Sequence, residues 1–265
     1  MEQRHGRLEL KYFIREAEMP ALRALIAPFT RLDPHAAGCA GRRYVVRSVY
    51  LDTPDLRFYR EKEAGVRIRK KLRLRTYNGP EDGAPGFVEI KRKRGRVVRK
   101  ERVQLPLDDA VAVLEGGAPM DALPDLSRAS RDSLDRFLAM QGLLGLRPTV
   151  LVVYEREPYV GRDDHRVRVT FDCDVRSLVH PAIDEIFEQR GLRHVAGRRC
   201  VLELKFDGAM PPWLRPLTAR LDRSHQAISK YCRGIDAWQP LMNGTWSASR
   251  RPAPRGHVMA KRARC

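Results

Sequence analysis

Val66-Arg-Ile-Arg-Lys-Lys-Leu-Arg-Leu-Arg-Thr-Tyr77 is the stretch on which the reading of this chain turns. Arg67, Arg69, Lys71, Arg73 and Arg75 share one parity. Val66, Ile68, Leu72 and Leu74 share the other, with Lys70 the single break. Alternate side chains of a β-strand leave by opposite faces. The pattern therefore predicts a strand over 66–77 with a ladder of cations on one face and an apolar surface on the other. A helix would scatter the same cations around its circumference. Like charges this close repel unless water or a polyanion neutralises them. The strand is thus either a solvated sheet face or one wall of a polyphosphate- or nucleotide-binding site.

Working outward, the same pattern recurs. Residues 7–14 set Arg7, Glu9 and Lys11 against Leu8, Leu10 and Tyr12, and residues 43–52 are β-branched and aromatic. Residues 86–93 set Glu89, Lys91 and Lys93 against Val88 and Ile90. After an Arg94-Gly95 turn, residues 97–105 place Lys100 and Arg102 on one face, so the two segments predict a hairpin. Residues 149–157 pair Tyr154 with Arg156. Residues 166–174 set Arg168, Thr170 and Asp172 against Val169, Phe171 and Cys173, and residues 200–207 set Glu203 and Lys205 against Leu202, Leu204 and Phe206.

About eight strands with one apolar and one charged face follow. Carboxylates precede lysines by two residues three times, at Glu9/Lys11, Glu89/Lys91 and Glu203/Lys205. A solvated sandwich face has no reason to repeat that order. A closed antiparallel barrel does, with charged faces lining a hydrated tunnel and apolar faces packed against outer helices. Cations would then grip phosphates, and carboxylates would hold a divalent metal bridging phosphate oxygens.

The connecting segments supply helices at 18–29, 108–115 and 124–145, another opened by Pro211-Pro212, and a short one at 224–233 ending before Gly234. Asp52-Thr-Pro-Asp55 reads as a turn or helix start.

The chain has 265 residues, 43% hydrophobic, with a net charge of +18. It is long enough for a substantial core, and its charge calls for an anionic partner. Residues 1–246 read as one catalytic domain. Residues 247–265 carry six cations and no acid among prolines and glycine, and read as a disordered basic tail. The five cysteines are odd in number, with no Cys-x-x-Cys pair. This argues against a disulfide framework or zinc site and for a reducing, cytoplasmic setting, with Cys173 and Cys200 as core residues. No run of apolar residues suits a transmembrane segment or a signal peptide. No helix-turn-helix, zinc signature or aromatic stacking platform points to specific nucleic-acid binding.

Together, Arg7-x-Glu9-x-Lys11-Tyr12, Ser48-Val-Tyr50-Leu-Asp52, Arg69-x-Lys71-x-Arg73-x-Arg75-x-Tyr77, Glu89-Ile-Lys91, Lys100-x-Arg102, Tyr154-x-Arg156, Arg168-Val-Thr-Phe-Asp172, Glu203-Leu-Lys205 and Ser229-Lys230-Tyr231 occur in an order that resembles VTC domains. These are polyphosphate polymerase domains within the triphosphate tunnel metalloenzymes, a superfamily that also holds the CYTH-type triphosphatases. The resemblance covers about residues 5–236.

It implies an α+β fold: an eight-stranded antiparallel β-barrel tunnel with a charged lumen and flanking helices. It also implies an ATP:polyphosphate phosphotransferase, of polyphosphate kinase type, that uses Mn2+ or Mg2+, passes the γ-phosphoryl group of ATP to a growing inorganic polyphosphate chain and releases ADP. Carried over by position, Lys11, Arg73, Arg75, Lys91, Lys100, Arg156 and Arg168 would bind the triphosphate and the nascent chain, and Lys205 and Lys230 would complete the positive lining. Tyr154 and Ser229 would contact substrate, with Arg69, Lys71, Arg102 and Lys62 nearer the tunnel mouths. Glu203, with Glu9, would hold the metal.

Two departures matter. Arg7 stands where the CYTH hydrolases favour a first glutamate, and Ala227 stands where a lysine often precedes the Ser-Lys pair by one turn. No stretch reads as a phosphate-sensing SPX domain, which leaves regulation and product translocation to other proteins, a membrane-protein partner included. A tripolyphosphate or nucleoside triphosphate hydrolase, or a non-enzymatic polyanion-binding module, would use the same tunnel.

Overall fold

The computed structural model describes residues 7–239, apart from 82, 96, 118–122, 124, 198 and 222–225. The basic segment 247–265 and Cys265 lie outside the described residues. The strands are β1 (Arg7–Arg15), β2 (Thr30–Leu32), β3 (Tyr44–Asp52), β4 (Ile68–Tyr77), β5 (Pro85–Arg94), β6 (Val97–Pro106), β7 (Arg147–Gly161), β8 (Arg168–Val179), β9 (Arg193–His194) and β10 (Arg199–Asp207). The helices are α1 (Met19–Ile26), α2 (Pro34–Ala37), α3 (Arg57–Glu63), α4 (Leu107–Leu114), α5 (Arg128–Leu144), α6 (Arg215–Leu221) and α7 (Lys230–Asp236).

Eight strands form one antiparallel sheet in the order β1-β10-β8-β7-β3-β4-β5-β6, with β2 added to β7 and β9 to β8. The sheet curls into a half-barrel. Among the described residues no ladder joins β1 to β6. The curl nevertheless brings the Lys91 ammonium of β5 within 3.5 Å of the Glu9 carboxylate of β1. All eight expected strands are present. β7 and β8 run beyond the expected 149–157 and 166–174, and β4 starts at Ile68, two residues after its apolar–cationic pattern begins.

Apolar parity places the cores. Leu72, Leu74, Val88, Ile90, Val103 and Leu105 leave the convex face of β4–β6 and bury against Ala110 and Val113 of α4 and Leu134 and Phe137 of α5. Leu202, Leu204, Phe171 and Val169 of β10 and β8 bury against Met19, Leu22 and Ile26 of α1 and Leu217 and Leu221 of α6. Burial of this apolar surface is the main force holding helices to sheet.

A third cluster lies on the opposite face, which corrects the expectation that every helix packs outside. Val46, Tyr50, Val150, Val152, Tyr154 and Val175 point inward and bury Tyr231, Cys232 and Ile235 of α7. Gly234 sits inside α7 and does not end it. A Cβ there would meet Val152 Cγ2 at 3.1 Å and Val150 Cγ2 at 3.2 Å. Glycine lets the helix lie against the sheet, and its packing role outweighs its helix-breaking tendency.

Two features allow β8 to serve this inner core. Asp174 adopts φ 47°. The register with β7 shifts between Val153 and Glu155, so Asp174 and Val175 together face Tyr154. This bulge reverses which parity points inward, from Thr170 and Asp172 before it to Val175 and Ser177 after it. Ser177 then donates to the Gly234 carbonyl at 2.9 Å.

The cysteine reading is also corrected. Cys173 and Cys200 are joined in a disulfide between β8 and β10. Count and spacing along the chain do not reveal it because the pairing depends on strand register: Val201 faces Asp172, which sets Cys200 opposite Cys173. Both sulfurs lie in the buried outer core, as their apolar parity implies.

Candidate functional site: a cation-lined concave wall

The inward residues of β4, β5 and β6 form three rows across the sheet. Arg73, Glu89 and Arg102 face one another in register, then Lys71, Lys91 and Lys100, then Arg69, Lys93 and Val98. The first row is internally neutralised. Glu89, 1% exposed, receives Arg73 at 2.5 Å, Lys100 at 2.7 Å and Arg102 at 2.6 Å. Burial alone would raise the Glu89 carboxyl, but Arg73, Arg75 and Lys100 outweigh it and hold it well below the usual carboxylate range.

The second row places three lysines side by side; Lys91 meets Glu9 at 3.5 Å and Lys100 meets Glu89 at 2.7 Å, which leaves Lys71 as the member with no carboxylate in contact. Lys71 donates to the Ser229 hydroxyl at 2.7 Å and lies 5.6 Å from the Tyr231 ring centre. Burial, with Lys11 and Lys91 nearby, brings its ammonium down to about 8. Burial, with Arg102 and Arg73, brings Lys100 to about 8 despite its contact with Glu89.

Arg75, buried beyond the first row, donates to the Ser48 hydroxyl at 3.0 Å and the Tyr154 hydroxyl at 3.4 Å. Among the described residues neither Lys71 nor Arg75 holds an ion pair. Hydroxyls fix both cations in place without a carboxylate in direct contact, which is the arrangement expected of a preorganised anion site. Tyr50 accepts from Arg73 at 2.8 Å. Burial works to raise its phenol, but Arg73, Arg75 and Lys71 bring it down to about 7.

The facing wall comes from β1, β10, β8 and β7. Lys11 bridges Glu9 at 2.6 Å and Glu203 at 3.5 Å, and Lys205 reaches Glu203 at 3.1 Å. Arg156 makes a two-pronged pair with Asp172 at 2.7 and 2.8 Å and approaches Glu203 at 3.6 Å. Lys230, the first residue of α7, reaches Asp172 at 2.5 Å. Burial opposes ionisation of Glu203, but Lys11 and Lys205 hold it well below the ordinary carboxylate range. Ser229 caps α7 by accepting from the Cys232 amide at 3.3 Å, so the same residue starts the helix and positions Lys71.

Most sequence-predicted residues therefore converge. Glu9, Lys11, Arg73, Arg75, Lys91, Lys100, Arg102, Tyr154, Arg156, Glu203, Lys205, Ser229, Lys230 and Lys71 line one concave face. Lys71, expected near a mouth, is in the middle of it. Tyr154 receives Arg75 and lies beneath Arg156 and Lys230, at 5.3 and 4.8 Å from its ring centre. Arg168 shares the inward parity and faces Lys205 in register, but turns its guanidinium to Asp33 at 3.2 Å, away from the cluster. Arg69 lies at the far end opposite Lys93. Lys62, on α3, pairs with its neighbour Glu63 at 2.9 Å.

The sequence marks Glu89 only as one of the three repeated carboxylates, and Asp172, Tyr50, Ser48 and Asp52 only as members of the family-like motifs, without a site role for any of them individually. Asp52 is fully buried and accepts from the Thr53, Phe58 and Tyr59 amides at 2.7, 2.9 and 3.0 Å and from the Tyr231 hydroxyl. It ties α3 and α7 to the end of β3. Burial raises its carboxyl despite these donors.

Among the described residues no group of three or more His, Cys, Asp or Glu converges as a metal site. Glu203 and Glu9 meet at Lys11 and present hard oxygen donors. Oxygen donors of this kind are the ones Mg2+ and Mn2+ take.

The concave face of this half-barrel carries far more cations than carboxylates. The VTC-domain family profile matches residues 6–239, and the chain belongs to that family. No curated protein matches the chain.

Proposed function

We propose that the chain is a metal-dependent polyphosphate polymerase that transfers the γ-phosphoryl group of ATP to inorganic polyphosphate and releases ADP. The observation that carries this reading is the pair of hydroxyl-held, unpaired cations Lys71 and Arg75, set beside the Lys71–Lys91–Lys100 row. A row of phosphates with closely spaced negative charges supplies what this wall lacks.

Phosphoryl transfer asks mainly for positioning and charge neutralisation. In this reading Arg73, Arg75, Lys91 and Lys100 hold the triphosphate, while Lys11, Arg156, Lys205 and Lys230 hold the acceptor end. The acceptor is a terminal phosphate oxygen, already anionic at neutral pH, so no general base is required. Glu203 and Glu9 would hold Mg2+ or Mn2+, which when bound neutralises charge on phosphate oxygens. Arg168 and Arg69 serve the approach and Lys62 the α3 side, each outside the central contacts.

With ATP as donor the reaction belongs in the cytoplasm. There the buried Cys173–Cys200 bond is shielded from solvent thiols by its packing. No helix among the described residues is long and apolar enough to cross a membrane.

The purified protein incubated with ATP and Mn2+ should give a polyphosphate ladder on a gel with matching ADP. Orthophosphate without polymer would replace the reading with the tunnel hydrolase. Tripolyphosphate binding with neither product would replace it with a polyanion-binding module.

A further inference from the structure

We propose that the free end of the β4–β5–β6 wall is a docking surface for an anionic lipid bilayer. Val66 and Ile68, at the entry to β4, are 41% and 58% exposed, and Val97 and Val98, just past the β5–β6 turn, are 58% and 42% exposed. Val98 turns to the concave side opposite Lys93, whereas Ile68 and Val97 share the convex face. Ile68 pairs with Arg94, and Arg94 pairs with Val97, so Ile68 and Val97 flank one arginine on the convex face. The Gly95 amide donates to the Arg67 carbonyl at 2.9 Å and ties the turn to the start of β4.

Cations outnumber carboxylates around this aliphatic pair, and the nearest carboxylate along β6, Glu101, is engaged by Arg92 and Arg136. Neither 66–75 nor 90–100 contains an aspartate or glutamate. Arg67, Arg94 and Arg99 are exposed beside the valines, and Lys70 is half-buried on the same convex face as Ile68. A polyphosphate chain would engage these cations and leave the aliphatics in water. A bilayer with anionic headgroups satisfies both at once, because cations meet the phosphate layer while short branched side chains enter the acyl boundary. The surface lies beyond the Lys71–Lys91–Lys100 row and is independent of the phosphoryl-transfer reading.

The test uses the full chain, without nucleotide, sedimented with phosphatidylcholine vesicles that contain or lack phosphatidylglycerol. Binding is expected only with the anionic lipid, weakened but not abolished by salt. The variant Ile68→Glu/Val97→Glu should lose about tenfold in affinity. A control with the same added charge at other exposed leucines, Leu25→Glu/Leu143→Glu, should lose far less. Unchanged thermal midpoints would verify folding of both. No binding to anionic vesicles overturns the proposal. Equal losses in the two variants also overturn it, since they would assign the binding to net charge, including that of the basic segment 247–265.

Discussion

Lys230 sets its ammonium 2.5 Å from the Asp172 carboxylate and 4.8 Å from the ring centre of Tyr154. The first residue of α7 is thereby joined to β8 and β7 at once, and the helix that fills the inner core also completes the cationic face. Seating of α7 and charge placement in the site are one problem.

Gly234→Ala tests that link. The new Cβ would press on Val152, Val150 and Ser177 at 3.1–3.3 Å, with flexible-chain relief unavailable in a buried β-branched pair. Overpacking of this kind costs about 1–3 kcal/mol. Lowered thermal stability is expected together with a fall in turnover, because α7 moves Lys230 as it shifts. Full turnover at reduced stability would show that α7 does not position the site.

Glu203→Gln separates binding from catalysis. Glu203 is 4% exposed and is engaged by Lys11, Lys205 and Arg156. Removing its charge frees those cations for phosphate, so tripolyphosphate affinity should hold or tighten in calorimetry. Turnover should fall about 100-fold or more, the scale for loss of one preorganised electrostatic group. Parallel loss of affinity and turnover would count against the metal-holding role.

Lys71→Met should raise stability and weaken binding. The folded protein holds this ammonium near 8, below its ordinary 10.5. Below pH 8 both folded and unfolded chains carry the charge, and the folded state bears its full burial penalty. Between about 8 and 10.5 the unfolded chain binds more protons, so the penalty lifts as pH rises. At pH 7 and without ligand the variant should melt higher by about 2–4 °C, the effect of ~1 kcal/mol in a domain of this size. An anion that binds the charged form draws protons onto Lys71 and Lys100. Tripolyphosphate binding at pH 8 should therefore take up protons, seen as a buffer-dependent enthalpy, and should weaken as pH rises past 8. Proton release would contradict the assignment.

Tyr231→Phe removes the hydroxyl that α7 gives to Asp52. A hydrogen bond to a buried carboxylate contributes about 1.5–3 kcal/mol. Thermal unfolding should drop by several degrees, with smaller loss of tripolyphosphate affinity than Lys71→Met shows. Affinity loss as large as that of Lys71→Met would place Tyr231 in the binding face.

The strands and the inward set of charges were legible because strand parity is a local property: the alternation at Arg69 to Arg75 survives any register. The three Glu-x-Lys repeats all proved to face inward on β1, β5 and β10. What was not legible depends on which residues meet across strands. Asp172 reads as one more alternating residue until register places Arg156 opposite it, and Cys200 meets Cys173 only through the β8–β10 pairing. Gly234 reads as a helix stop because helix propensity is local, whereas its contact with Val152 spans the fold. Arg168 has the inward parity, but its pairing with Asp33 is a contact that parity cannot show.

The bulge at Asp174 gives β8 two reading frames. Residues before it write to the charged wall, and residues after it write to the seat of α7. Asp172 and Ser177 are an odd number of residues apart and share the inner face only because the extra residue is taken up as a bulge; in regular register one of them would face the wrong side of the sheet. The bulge, with the left-handed backbone it places at Asp174, is as much a part of the site as its lysines and arginines.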